Sequence, residues 1–323
     1  MIRKHARLAS QHASRDARPA GLARLTAAVA FALFAAPALL ALPGAGVASA
    51  QAVYATPDAA AEAFSNALAS NDQDAMKHVL GNNFEQFIPT KEIGEEDIYD
   101  FLGAWSKGHQ IVPDATPVAG KASAHLAVGA SGWTLPIPIV QNASGWRFDP
   151  REGASEMLTR RIGRNERAAM LSSLAYVDAQ KDYRKLTQHY AQRLVSTPGT
   201  HDGLYWPVEQ GEEESPLGPL AEVMTRDSKI TPQEGYHGYH FRILTAQGAH
   251  AEGGARRYMA NGQLANGFAL VAWPAQYGKT GVMSFIVNQD GKLYQKDLGP
   301  NGARTAAALK SFDPDSSWQS TTP

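Results

Sequence analysis

The amino-acid sequence predicts an α+β protein built in two successive parts, and three observations carry that reading. Apolar residues at helical spacing, with capping signals, occupy residues 56–107 and give way to alternating segments over residues 122–149. The stretch from Ile162 to Leu194 holds no Pro, has no Gly after Gly163, and is rich in Ala, Leu, Arg, Lys and Gln, all good helix formers. Four β-rich runs with a tight hairpin signal fill the last third. The architecture expected is N-terminal helices plus a curved antiparallel sheet, then a long helix packed on a four-stranded antiparallel sheet.

Residues 1–50 stand apart from that fold. Arg3, Lys4, Arg7, Arg15, Arg18 and Arg24 face a single anion, Asp16, and an uncharged apolar run, Leu25 to Leu42, follows. The segment closes on Ala48-Ser49-Ala50, the small-x-small pattern of a signal-peptide cleavage site. The expectation is a signal peptide cut between Ala50 and Gln51, which implies a periplasmic or secreted protein. The alternative is an uncleaved anchor, since the run is nearly long enough to span a bilayer. Its Ala content, Pro37 and the Ala-Ser-Ala ending favour cleavage.

Taking away the six leader cations and one anion from 30 Lys+Arg and 31 Asp+Glu leaves the remainder six charges net negative. An acidic chain argues against nucleic acid as a partner and against electrostatic docking on anionic lipid. No membrane span is expected after processing. The sequence holds no Cys, so disulfides, thiolate metal sites and a cysteine nucleophile are excluded. Residues 51–150 are read as a small α+β domain, 151–304 as the long helix with its sheet, and 305–323 as a polar, loosely ordered tail.

In chain order, Thr56 caps a helix with Pro57 at its first position, and Ala60, Ala61, Phe64, Ala67 and Leu68 keep its period. Asp72 caps a second helix carrying Met76, Val79 and Leu80, which Gly81 ends. A third helix, about Glu95 to Lys107, buries Ile98, Phe101, Leu102 and Trp105. Ala122, Ala124, Leu126 and Val128 alternate along a strand. Trp133 to Val140 carries Pro136 and Pro138 two apart, so both missing donors fall on one side; this predicts an edge strand. Asn142 to Gly145 is a turn, and its glycosylation sequon is read as turn chemistry.

The spine follows, with Tyr176, Ala179, Tyr183, Leu186, Tyr190 and Leu194 on one face. Pro198-Gly199 ends it, and a long loop of residues 200–218 contains Glu212, Glu213 and Glu214. Tyr239–Ala246, Phe268–Trp273, Val282–Asn288 and Lys292–Asp297 are the four expected strands. Asn288-Gln289-Asp290-Gly291 joins the last two.

Three blocks carry a resemblance: residues 145–166 (GWRFDPREGASEMLTRRIGRNE), residues 202–207 (DGLYWP), and residues 235–248 with 267–299. Together they resemble the bacterial exported family of domain of unknown function 2950. That resemblance implies an exported envelope protein; it brings no catalytic residue or activity to carry over. By element order the first half looks like the cystatin-like, NTF2-like cone. Asn165-Glu166 opening a helix that holds Ala179, Gln180 and Tyr183 looks like the globular part of type IV pilin-like proteins.

No nucleophile elbow, phosphate loop or dinucleotide fingerprint appears, so no cofactor is expected. Eight His remain after residue 50. His237 and His240, with His250 and Glu252 nearby, suggest a metal site, but an odd spacing on a strand sends the two imidazoles to opposite faces. Asp202, Tyr205 and Trp206 offer either a stacking platform for a glycan or peptide, or a plug that fastens the loop to the sheet. Arg160, Arg161, Arg164 and Arg167 form a basic helix face that Glu156 and Glu166 can balance.

The leading functional reading is a non-catalytic binding or assembly protein of the envelope whose partner is an envelope protein or a glycan. One alternative is a periplasmic enzyme using a cavity in the first domain, with His109, His125 or Asp149 near Trp133 and Trp146 as acid–base groups. The other is a peptidoglycan-binding module acting through Tyr205 and Trp206.

Overall fold

The computed structural model describes residues 50–118, 120–207, 214–218 and 234–323. The leader before Ala50 and the two acidic residues Glu212 and Glu213 lie outside the described residues. The chain divides into two compact units, the first ending at Arg160 and the second beginning at Arg161. The architecture is α+β, as the periodicities require.

In the first unit, helix α1 (Pro57–Ala69) starts where the Thr56 hydroxyl accepts the Ala59 amide at 3.1 Å. Helix α2 (Gln73–Leu80) starts where Asp72 Oδ1 accepts the amides of Asp74 and Ala75, each at 3.0 Å. Helix α3 (Glu95–Lys107) comes next. Both α1 and α2 begin on an oxygen-bearing side chain because their first amides have no carbonyl partner inside the helix.

Strands β1 (His109–Pro113), β2 (Ser123–Val128), β3 (Ile139–Asn142) and β4 (Gly145–Phe148) form an antiparallel meander in that order. Alternation puts Ala124, Leu126 and Val128 in the core. Phe64 there meets Phe101 edge-on at 5.7 Å and Phe148 at 5.5 Å, favourable aromatic geometries.

The edge-strand prediction for residues 133–140 is corrected. Ile139–Asn142 forms β3, an interior strand between β2 and β4, and upstream of it Thr134 makes a separate antiparallel bridge with Ala127 of β2. Pro136 and Pro138 fall between that bridge and the start of β3, where no amide donor is needed, and Pro138 contributes only its carbonyl, which accepts the Asp149 amide at 2.9 Å.

Helix α4 (Pro150–Thr187) begins in the first unit and ends in the second. Asp149 Oδ1 accepts the amides of Arg151 and Glu152 at 3.2 Å, with Pro150 at the first helical position. Gly163 does not break it. Gly153 is needed for proximity: a Cβ there would stand 3.1 Å from Ile137 Cα.

The second unit sets the rest of α4 beside a run of strands. β5 (Tyr239–Leu244) leads into two short pairs, β6 (Ala246–Gln247) with β7 (Arg256–Arg257), and β8 (Met259–Ala260) with β9 (Gln263–Leu264). Then come β10 (Ala269–Pro274), β11 (Met283–Asn288) and β12 (Leu293–Asp297). β5, β10, β11 and β12 are the four strands expected, antiparallel throughout. The tail is not loosely ordered. Helix α5 (Gly302–Ala308), β13 (Ser311–Phe312) and β14 (Gln319–Ser320) are built into the unit. β14 adds a fifth strand beside β12, and Phe312 is buried in the core.

The spine differs from its prediction at the C-terminal end. The helix stops at Thr187, so Tyr190 and Leu194 lie beyond it, and Leu186 is 48% exposed. Gln188 takes a left-handed φ of 66° and donates its amide to Arg184 O at 2.8 Å. That conformation costs a non-glycine residue roughly 1–2 kcal/mol. The offset comes from Gln180, fully buried at 0% exposure. Its Oε1 accepts the Ala191 amide and its Nε2 donates to Ala191 O, both at 2.8 Å. Nε2 also donates to the Tyr176 hydroxyl at 3.0 Å, and that hydroxyl donates to Ala269 O in β10 at 3.3 Å.

Replacing Gln180 by Leu keeps the volume and strands both Ala191 groups in the core. Each orphaned buried polar group costs about 1–3 kcal/mol, so Gln180→Leu is expected to lose about 2–5 kcal/mol by urea unfolding. A loss under about 0.5 kcal/mol, the size of an ordinary surface change, would refute this account.

Candidate functional site

The first unit presents an exposed aromatic ridge on α3. Tyr99 is 69% exposed, the most exposed of the large hydrophobic side chains described. It lines two grooves at once. One is bounded by Leu68, Ile93, Ile98 and Leu102, the other by Gly103, Ala104, Gly129 and Ala130. Glu95, Glu96 and Asp100 are exposed on the same helix, and Lys107 also lines the second groove. The helix holds Tyr99 out because Phe101 is buried in the core and Trp105 packs against it, while the partly buried Ile98 and Leu102 both pack on the core and wall the first groove. Asp97, buried, accepts the Gly94 amide at 3.0 Å and closes the first turn. The result is a hydrophobic projection among carboxylates.

The acid–base candidates of the same unit are separated. His109 is exposed and stacks on Trp105 with ring centres 3.6 Å apart. Asp149 is occupied as the N-cap of α4. His125 Nδ1 lies 2.7 Å from Asp114 Oδ1, and Ser123 Oγ donates to Asp114 Oδ2 at 2.5 Å. His125 Nε2 is buried without a hydrogen-bond partner among the described residues. A carboxylate fixing one imidazole nitrogen is how a general base is oriented. Here, however, the serine bonds the carboxylate and not the imidazole, and none of these groups lines the two grooves. Asp114 also donates its amide to Ser123 O at 2.9 Å, so the three residues clasp the β1–β2 hairpin.

In the second unit the DGLYWP loop is a fastening. Asp202 accepts the Thr197 amide at 2.7 Å, the Thr197 hydroxyl at 2.8 Å and the Thr200 hydroxyl at 2.9 Å. Those bonds, the backbone one first, hold the pKa of its carboxyl down at about 2. Gly203 approaches the backbone of Val195 and Ser196 so closely that a Cβ would lie 2.7 Å from both. Trp206 is 4% exposed and stacks on His201 at 4.3 Å, while Tyr205 is half-buried and bonds Leu194 through the backbone. Of the two readings of Tyr205 and Trp206, the geometry fits the plug: the indole is buried in the core against His201.

A family model described as Protein of unknown function (DUF2950) matches residues 51–321. The chain belongs to this family. No curated protein and no solved structure matches it. The likenesses to pilins and to cystatin-like cones accordingly gain no support beyond element order.

In this DUF2950 chain the histidine cluster is dispersed. His237 is not on a strand: it occupies a tight turn with Gly238, at φ 47° and 73°, between Tyr236 and Tyr239. Two positive φ angles in succession are the mark of a type I′ turn. His240 is half-buried near Trp273, its pKa pushed down by burial. His250 pairs with Asp313 and Glu252 with Lys292. No group of three or more metal-binding side chains occurs among the described residues. Arg160 is engaged by Glu156 at 2.7 Å and by Thr134 O at 2.6 Å. No helix among the described residues is long and apolar enough to cross a membrane.

Sequence reasoning passed over Tyr99. The signal was present, since Tyr99 falls off the stripe of Ile98, Phe101, Leu102 and Trp105 and so faces outward.

The Asp202 fastening has a pH signature. A carboxyl depressed from 3.8 to about 2 contributes stability fully above its unfolded value and loses it as pH falls toward 2. The penalty of Asp202→Asn is therefore expected at pH 7 and should shrink between about pH 4 and 2. Thermal unfolding of both proteins across that range checks it; a penalty constant with pH would contradict the assignment.

Proposed function

We propose that this DUF2950 protein is an exported, non-catalytic binding protein of the cell envelope that engages a basic segment of a protein partner through the Tyr99 ridge. The observation that carries the reading is Tyr99 itself, standing 69% exposed between two grooves. An aromatic ring left in water beside concave apolar surface is the usual composition of an interface centre. The carboxylates of Glu95, Glu96 and Asp100 set the partner's charge, since lysine or arginine beside an apolar side chain complements them.

Export is supported by the cationic and apolar leader ending in Ala48-Ser49-Ala50, and by a family match that begins at Gln51. The periplasm, or the medium, is then where the partner is met. The glycan-binding alternative loses its argument with the burial of Trp206. The enzymatic alternative retains one specific observation, the buried His125 Nε2 that has no hydrogen-bond partner among the described residues.

The test places a photo-crosslinking amino acid at Tyr99 of the exported full chain, with Tyr277 of the second unit, 36% exposed, as control position. The expected result is one discrete adduct from position 99, none from 277, and its loss in the Glu95→Lys, Glu96→Lys double variant. Adducts of equal yield from both positions, or an adduct indifferent to the charge reversal, would sink the proposal.

A further inference from the structure

The first residue after the predicted cleavage point is a glutamine, and its side chain is part of the fold. Gln51 Nε2 donates to Phe148 O at 2.7 Å and to Val79 O at 3.2 Å. Val79 O belongs to the last turn of α2, where carbonyls lack helical partners, and Phe148 ends β4. The neighbouring backbone continues the attachment. Ala52 donates to His78 O at 2.7 Å, and Tyr54 exchanges both backbone bonds with Trp146 at 2.7 and 2.8 Å. One carboxamide thus ties the chain start to a helix end and to a strand end, each beside core residues Val79, Leu80 and Phe148.

A glutamine at a free N-terminus is chemically unstable. Its α-amine attacks its own Cδ, the Nα–Cδ bond forms, the Cδ–Nε2 bond breaks, and Nε2 leaves as ammonia with a proton from the amine. No oxidant or co-reactant is involved. The nitrogen expelled would be the one that holds Phe148 O and Val79 O. Cyclisation and the folded attachment are therefore mutually exclusive.

We propose that Gln51 is a modification site controlled by folding: once exposed by cleavage, its carboxamide is protected by docking on Val79 O and Phe148 O, and the mature protein keeps an uncyclised glutamine. This rests on the export reading, because only cleavage after Ala50 frees the amine. A chain that stays unfolded after cleavage loses the donor as ammonia and cannot regain the attachment on refolding. The N-terminus thereby records whether folding came before or after cyclisation.

The experiment uses the exported protein purified from the envelope, with its N-terminus read by sequencing and intact mass. The expected result is an open N-terminus at Gln51 with no loss of ammonia. The purified protein is then held at neutral pH, folded or unfolded in urea, and loss of ammonia is followed by mass. Cyclisation is expected to be at least about tenfold slower in the folded protein, since the hydrogen bonds to both carbonyls must open first. The cyclised product, refolded, is expected to melt at a lower temperature than the open form. An N-terminus at Gln51 that is already cyclised in the native protein, or equal rates in the two states, would overturn the proposal and leave export standing. An N-terminus at another residue would overturn both.

Discussion

The second unit depends on a side-chain amide behaving as backbone. Gln180 offers Ala191 one donor and one acceptor, the same pair a neighbouring strand would present. At 0% exposure the attraction acts in a low dielectric, and the alternative is two stranded peptide groups. This bond makes it worthwhile for the helix to stop at Thr187 and for Gln188 to adopt a left-handed turn. It also sets where the returning chain runs, bringing Tyr190 back against Phe268 at 4.7 Å and into a bridge with Leu264. Tyr176 extends the same network into β10. Burial holds the Tyr176 hydroxyl far above the usual phenol range, so it remains a donor at any physiological pH.

The two units contrast in what their polar side chains do. In the second, the residues that looked like chemistry are consumed by attachment: Asp202 by three donors, Trp206 by the core, His250 and Glu252 by ion pairs. In the first, the same is true of Asp149 and Asp114, and the most exposed large hydrophobic side chain described is Tyr99. This division is the basis of the recognition role proposed for the Tyr99 ridge.

Where local chemistry decides, the sequence was sufficient. Thr56, Asp72 and the Asn288 turn act as their residue types demand, because a cap or a turn is satisfied within three or four positions. The end of the spine was not legible. No Gly or Pro stands at 188, and the partner that stops the helix is eleven residues away in sequence and matters only when buried. The central position of β3 was missed for a similar reason: Pro136 and Pro138 were counted inside a strand that begins one residue later, at Ile139. The polarity of the tail hides Ala306 and Phe312, both buried in the core, and Leu309 and Trp318, which pack against it, with the short strand β14 closing the sheet. Of the candidate site, the first groove requires the end of α1 to meet α3 and the second requires the β2–β3 connection to meet it, which no linear pattern reports.

Helix α4 is fastened to the second unit's sheet at two levels. Glu166 accepts the amides of Val282 and Met283 at 2.9 and 3.0 Å, and Asn165 donates to Thr280 O at 2.9 Å. Further along, Tyr176 holds Ala269 and Gln180 holds Ala191. Each added helical residue rotates the downstream part of the helix by about 100° and advances it by about 1.5 Å. A single insertion or deletion between Glu166 and Tyr176 would therefore leave one fastening in place only by swinging the other off the sheet. Substitution can be absorbed in this stretch, at Leu171 for instance, which is exposed. A change in its length cannot. The span from Glu166 to Tyr176 is a ruler, and relatives that keep both fastenings must keep its length.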